Sequence, residues 1–397
     1  MDSDVAKRNA VGPERRRGPF RAGERVQLTD VKGRKYTTHL TNEGYFQSTR
    51  GSFRHSELIG KPEGTVIDTA SGHRLLALRP LVSDFVLSMP RGATVIYPKD
   101  AAQIVTMADI FPGARVFEAG LGSGALSLSL LGAISGSQSA SYSGDCGDGL
   151  LISVERRPEF AEIAQANVES WFGEHPRCWK VEIGEAQQVL DALPEQDLDV
   201  VILDMLAPWE IVASAARAIR PGGVFLAYVA TIPQLSRVVE TLRASNNFTE
   251  PESLETMLRT WHVDGLAIRP DHRMVAHTGF LVTARRLAPG IEPLRATKRP
   301  APGAEGEPAP WQSDDFDSAG LERTIAPHKL RKVRRDVAHR ADVEATGSAA
   351  PGEHGAKIAA QLDAQARAKD LAHRERARAQ RSSVGDGGDS CNGAGGE

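Results

Sequence analysis

Cysteine is scarce in this 397-residue chain, with Cys146, Cys178 and Cys391 the only three, at unrelated spacings. Such spacing builds neither a disulfide framework nor a metal-ligand cluster and points to a reducing compartment, the cytoplasm. No segment approaches the ~18 consecutive apolar residues of a membrane-spanning helix. The charged opening MDSDVAKRNAVGPERRRGPF lacks the apolar core of a secretory leader. A soluble intracellular protein is expected, with no membrane and no metal. Charge of one sign is also missing. The formal net charge is −3, so no overall field draws the chain toward nucleic acid, and phosphate contacts have to come from local clusters. Absent too are the lysine of a phosphate-binding P-loop and the G-x-G-x-x-G spacing of a dinucleotide fold.

What is present falls into four parts. Residues 1–19 are polar and arginine-bearing, a composition that predicts disorder. Residues 20–91 alternate short apolar segments (Arg25–Leu28, Thr65–Asp68, Arg74–Leu78) with turn glycines at 33, 44, 51, 64 and 72. That rhythm predicts a small all-β domain. Residues 92–288 alternate strands with helices, the pattern of a parallel sheet covered on both faces. The strands are expected at Arg115–Glu118, Gly149–Glu155, Trp179–Ile183, Asp199–Asp204 and Val224–Val229, and an antiparallel closing pair at His262–Ile268 and Gly279–Ala284. Helices are expected at Pro158–Phe172, Pro208–Ala218 and Ile232–Ala244. Residues 289–397 are rich in Pro, Ala, Gly and charge and read as a disordered tail, with basic stretches His328–Arg340 and Lys357–Arg381. The Gly/Ser-rich segment 135–149 reads as a surface loop.

The most informative stretch is Val116-Phe117-Glu118-Ala119-Gly120-Leu121-Gly122-Ser123-Gly124-Ala125, an apolar strand running through alternate glycines into a helix. Glycine lets backbone pass close to a ligand where a Cβ would clash. The E-x-G-x-G-x-G spacing resembles the first motif of the S-adenosylmethionine-dependent, class I Rossmann-like methyltransferases. That resemblance implies a ribose acceptor at the end of the second strand, where Glu155 ends LLISVE, and an adenine reader after the third, where Glu185 stands. It also implies a short polar motif after the fourth, LDMLAPWE, with Asp204 turned into the cleft at the carboxyl end of the sheet.

Together with RGATVIYPKD (91–100), AYVATIPQLSRVVE (227–240) and HTGFLVTARR (277–286), these segments resemble the TrmI family of tRNA (adenine-N1)-methyltransferases acting on position 58, over about residues 20 to 290. The resemblance implies methyl transfer from S-adenosyl-L-methionine to N1 of that adenine, with tRNA as partner and a homotetramer as the assembly. It places Glu118, Gly120, Leu121, Gly122, Ser123, Gly124, Ala125 and Asp204 around the cofactor, with Glu155 on the ribose, Glu185 on the adenine and Gln103 on the cofactor side. Asp204 becomes the acid beside the target base, and Tyr97 and Tyr228 the aromatic surfaces for the extruded adenine. Arg50, Arg54, Lys61 and Lys99 are candidates for phosphate contacts. Two other readings stay open: the same domain with a protein or small-molecule acceptor, and a non-catalytic RNA-binding scaffold.

Overall fold

The structure, a computed structural model, describes residues 16–135 and 149–295, together with Arg331, Arg334 and Arg335. The expectations for the extreme N-terminus, the Gly/Ser-rich loop and nearly all of the tail with its basic stretches lie outside the described residues.

The N-terminal strands form a four-stranded antiparallel sheet in the order β2-β1-β6-β5: β1 Arg25–Asp30, β2 Lys35–His39, β5 Val66–Asp68 and β6 Arg74–Leu78. A separate hairpin, β3 Tyr45–Ser48 with β4 Gly51–Arg54, packs against it. Alternation puts Val26, Leu28, Leu75 and Ala77 inward, where they meet Phe20, Leu40, Phe46, Phe53 and Leu58 in one small core. Arg79 closes this module by donating to Glu24 at 2.7 Å and Glu63 at 3.0 Å.

A short helix, α1 Val82–Ser88, follows within the stretch the sequence reads as all-β. It belongs to the next layer, since Phe85, Val86 and Met89 are buried in the core of the α/β sheet. Lys35 on β2 reaches Asp84 at 2.6 Å, and the Arg25 guanidinium lies 4.7 Å from the Phe85 ring centre, so the module is tied to this helix on both strands.

The second sheet has seven strands in the order β12-β15-β11-β10-β7-β8-β9. Five run parallel: β7 Arg115–Ala119, β8 Leu150–Glu155, β9 Trp179–Ile183, β10 Leu198–Leu203 and β11 Ile219–Val229. β15 Phe280–Arg285 enters antiparallel beside β11. This is the class I Rossmann-like methyltransferase arrangement. Near-continuous apolar strands feed both faces. Val116, Val200, Ile202 and Leu226 point to α2 Pro98–Met107, α3 Ala125–Ile134 and α4 Pro158–Phe172. Phe117, Val201, Leu203 and Phe225 point to α5 Ala186–Ala192, α6 Val212–Ala218 and α7 Ile232–Ser245.

Two expectations are corrected. His262–Ile268 does not close the sheet. The turn at Gly265, φ +54°, folds the segment on itself, making a hairpin of β13 Trp261–Asp264 and β14 Ala267–Pro270 that stands off the sheet. The partner of β15 is instead the three-residue β12 Glu252–Leu254. Pro208–Ala218 is not one helix either, because it opens as a 3-10 turn over Pro208–Ile211. A third correction concerns cysteine. Cys178, the one cysteine among the described residues, is disulfide-bonded.

Removing the Phe85 ring leaves a cavity between α1 and the sheet that neither side can fill. Phe85→Ala should cost on the order of 3–5 kcal/mol, read as a lower urea midpoint with unchanged slope.

Candidate active site

Open α/β sheets bind ligands outside the carboxyl ends of the strands, where the strand order reverses. Here that point lies between β7 and β10, which run side by side with Ala119 opposite Leu203. The next residue of each strand is a site residue. Asp204 donates its backbone N–H to the Ala119 carbonyl at 2.8 Å, and a Cβ on Gly120 would fall 1.8 Å from the Asp204 carbonyl oxygen. Only glycine fits there, and its φ of +86° also suits only glycine. Gly122 (φ +56°) and Gly124 (φ +78°) keep the turn in left-handed backbone up to the start of α3.

Glu155, buried at the end of β8, accepts the Gly122 N–H at 3.0 Å on Oε2 and the Arg157 N–H and Nε at 3.2 and 3.0 Å on Oε1. A carboxylate offers about four acceptor sites, so room remains on Oε2 for a ribose hydroxyl. Glu185 is exposed at the N-terminus of α5, with its Oε1 3.9 Å from Arg156. It stands one residue past Gly184, whose N–H bonds the Glu155 carbonyl, so both acids share one rim of the cleft. Gln103 is half-buried on α2, three residues after Asp100.

Glu118 and Ser123 face inward rather than into the cleft. Glu118 is fully enclosed, its Oε2 accepting from the hydroxyls of Ser127 at 2.7 Å and Ser153 at 2.6 Å. Burial pushes this carboxyl up to about 7 against the pull of both hydroxyls. The Ser123 hydroxyl accepts the N–H groups of Gly92 at 3.1 Å and Ala93 at 3.3 Å. It thereby clamps the RGAT segment onto the glycine turn, and only its backbone is left to meet a ligand. Asn167, a buried residue of α4 that no sequence motif flags, completes the clamp by donating to the carbonyls of Pro90 at 2.9 Å and Ser123 at 3.0 Å.

The Asp204 carboxyl is pushed up to about 7 by burial first, then by the charges of Glu118 and Glu155. It caps no helix, since the first residue before the Pro208 turn is Ala207. The loop carrying it is held from behind by Gln234, which donates to the Leu206 carbonyl at 2.9 Å, and Thr231 holds Gln234 in turn at the start of α7.

Tyr97 precedes Pro98 at the N-terminus of α2 and is half-buried. Tyr228, in β11, is only 9% exposed, with its ring lodged against Gly279, where a Cβ would lie 2.3 Å from the ring. Burial first, then the nearby charges of Asp100 and Asp204, push its ionisation up to about 12. Lys99, a candidate phosphate contact, is corrected. Its amine is buried and bonds Asp100 at 2.7 Å and Thr278 at 2.7 Å. Arg50 is paired with Asp30 at 3.5 Å, whereas Arg54 and Lys61 are exposed.

These features fit S-adenosylmethionine: a turn that admits no side chain, with a buried acidic acceptor at the adjoining strand end. Among the described residues no group of His, Cys, Asp and Glu could hold a metal ion, and no helix is long and apolar enough to cross a membrane.

Comparison with known proteins bears on the family and the fold. The family model described as TrmI-like N-terminal matches residues 18–67, and that described as tRNA methyltransferase complex GCD14 subunit matches residues 186–278. The chain is 36% identical over 262 residues to the tRNA (adenine(58)-N(1))-methyltransferase TrmI of Thermus thermophilus, covering 65% of this chain and 95% of that protein. It is 28% identical over 280 residues to the tRNA (adenine(57)-N(1)/adenine(58)-N(1))-methyltransferase TrmI of Methanocaldococcus jannaschii, covering 65% and 93%. Among solved structures, the tRNA (m1A58) methyltransferase TrmI of Aquifex aeolicus superposes with a TM-score of 0.58 at 26% identity, over 68% of this chain and all of that one. A SAM-dependent O-methyltransferase of Thermotoga maritima superposes with a TM-score of 0.62 at 26% identity, over 69% and 96%.

Glu118 makes a stability prediction. A carboxyl whose folded value is raised favours the fold while protonated, so stability falls as pH rises from the ordinary 4.5 to about 7 and is level above. Glu118→Gln keeps an acceptor for the two hydroxyls without the charge. It should match the wild type in thermal melts near pH 4 and exceed it by a few kcal/mol above pH 7.

Proposed function

The chain belongs to the TrmI family of tRNA (adenine(58)-N(1))-methyltransferases, and we propose that its cleft between β7 and β10 is where N1 of adenine 58 receives the methyl group. The observation that carries this reading is Asp204, an acid that caps no helix and is locked by its backbone against the glycine turn. S-adenosyl-L-methionine, when bound, supplies a methyl group on a cationic sulfur.

The chain's own residues position everything else. Glu155 accepts the ribose, Glu185 reads the cofactor's adenine, Gln103 lines the cofactor side, and the backbone from Gly120 to Ala125 forms the cradle. Glu118 and the Ser123 hydroxyl act from beneath it. N1 of adenine is an in-plane nitrogen with a free lone pair, so it needs no base to deprotonate it, and orientation does most of the work. Asp204 accepts a hydrogen bond from the exocyclic amine, and its charge stabilises the ring as it becomes cationic. Extruding the base from the tRNA elbow costs a few kcal/mol, offset by stacking and hydrogen bonds. Tyr97, half-buried at the mouth of α2, is the ring placed for that stacking. Tyr228 bounds the pocket on the β11 side.

The working protein is proposed to be a cytoplasmic homotetramer that grips tRNA. Support for the assembly comes from the β13–β14 hairpin, where Trp261, Val263 and Ile268 are 57, 68 and 59% exposed, an apolar arm left uncovered by the described residues. Arg54 and Lys61 of the N-terminal module are proposed phosphate contacts.

Transfer of labelled methyl to unmodified tRNA, followed by nucleoside analysis, should give N1-methyladenosine at position 58. Asp204→Ala should lower turnover on the order of 10²-fold or more. Label appearing only on protein or small molecules would overturn the tRNA reading. Because Asp204 works as the carboxylate, kcat/KM should rise with pH, flatten above about 7 and fall roughly tenfold per unit below it, an inflection that Asp204→Asn removes. Light scattering should return about four chain masses, and Trp261→Ser with Val263→Ser should reduce that number.

A further inference from the structure

One stripe of α4 carries contacts to both the glycine turn and the segment before the first strand of the sheet. Arg157, Phe160, Ala164 and Asn167 stand three or four residues apart, the spacing that lines up along one helix face. Arg157, at the N-cap, holds the Glu155 carboxylate at 3.0 Å, and its guanidinium carbon lies 3.7 Å from the Phe160 ring centre. The Gly92 backbone rests on that ring, where a Cβ would fall 2.3 Å from a ring carbon. Gly124 rests on Ala164, where a Cβ would fall 3.2 Å from the carbonyl oxygen. Asn167, fully buried, donates from its one amide nitrogen to the Pro90 carbonyl at 2.9 Å and to the Ser123 carbonyl at 3.0 Å.

Counting hydrogens shows why an amide stands there. Both partners are carbonyl oxygens, which only accept. A side-chain amide carries two hydrogens on one nitrogen and can span them, whereas a hydroxyl has one hydrogen and a carboxylate none. Ser123 ties the same two segments a second time, its hydroxyl accepting the N–H groups of Gly92 and Ala93. From there the chain runs through buried Val95 and Ile96 to Tyr97. The Tyr97 carbonyl in turn accepts the N–H groups of Asp100 and Ala101, both at 2.9 Å, as α2 begins. The turn and the segment that leads to Tyr97 are therefore referenced to one another by buried side chains, with no ligand needed.

We propose that Asn167, with the Ser123 hydroxyl, is a positioning residue for methyl transfer: it fixes the spacing between the turn that cradles the cofactor and the segment that brings Tyr97 to the base. This rests on the assignment of the cleft to tRNA methylation. Both side chains act through the backbone groups they hold. Transfer from sulfur to nitrogen depends on near-attack geometry, and a misplacement of about 1 Å costs on the order of 10²-fold in rate.

The test uses full-length protein and unmodified tRNA, with the single-turnover rate of N1-methyladenosine formation read at saturating cofactor and tRNA. Each variant is assayed well below its own melting temperature, so that the rate refers to folded molecules. Asn167→Ala should lower that rate on the order of tenfold or more and weaken binding of S-adenosylhomocysteine, with tRNA affinity unchanged. Asn167→Leu fills the volume without supplying hydrogens and should behave as Asn167→Ala does. Ser123→Ala leaves the Asn167 bridge intact but frees the 92–93 backbone, and should lower the rate in the same direction. Combining it with Asn167→Ala should cost less than the product of the two, because both release the same pair of segments. Variants that melt earlier yet transfer at the wild-type rate, or a loss confined to S-adenosylhomocysteine affinity, would overturn the proposal while leaving the tRNA reading in place. No N1-methyladenosine from the wild type would overturn both.

Discussion

Everything at the functional end of this protein depends on how closely two strand ends approach each other. Gly120 and Asp204 lie so near that one methyl group on the glycine would overlap the aspartate's carbonyl oxygen. That contact sets the floor of the cleft and presents the turn's backbone to a ligand on one side. On the other it fixes the backbone that carries the Asp204 side chain. The cost is electrostatic. Bringing the ends of β7, β8 and β10 together gathers Glu118, Glu155 and Asp204, and burial with the charges of the two glutamates opposes ionisation of Asp204. The structure relieves one member internally through Ser127 and Ser153 and a second through Arg157 and a backbone N–H. The third is left strained. Strain of that sort suits a group whose work is to meet positive charge.

Supporting contacts come from parts of the chain that are remote in sequence. The clamp of Ser123, Asn167 and the 92–93 backbone presses the segment before the first strand onto the glycine turn. Gln234 does the same for the loop after β10 from the start of α7. Both use side chains that are themselves buried, so the turn and the acid are fixed by packing rather than by the ligand.

Much of this was legible in the sequence because it is written in local terms. The apolar runs located four of the five parallel strands within a residue or two, while β11 begins at Ile219, five residues before the expected Val224; Pro158 opened α4 as expected, and the glycine spacing located the turn. Direction is what local pattern could not show. Glu118, Ser123 and Lys99 were expected to face a ligand, and each faces inward, because a strand or helix position does not reveal which way a side chain's hydrogen bonds are satisfied. Asn167 sat in a helical context with no flag on it. The hairpin at 261–270 misled for a related reason: its alternation is that of a strand, but Gly265 turns it before it can reach the sheet.

The helix α1 has a mechanical meaning. Its Phe85 lies inside the catalytic core while Lys35 and Arg25 of the β module hold its outer face. Tilting the module would drag an aromatic ring through close-packed surroundings, which resist such shear. Module and cleft therefore act as a caliper with a set gap. A substrate engaged by both jaws has to carry its own fixed span, as a folded RNA does and a limp single strand does not.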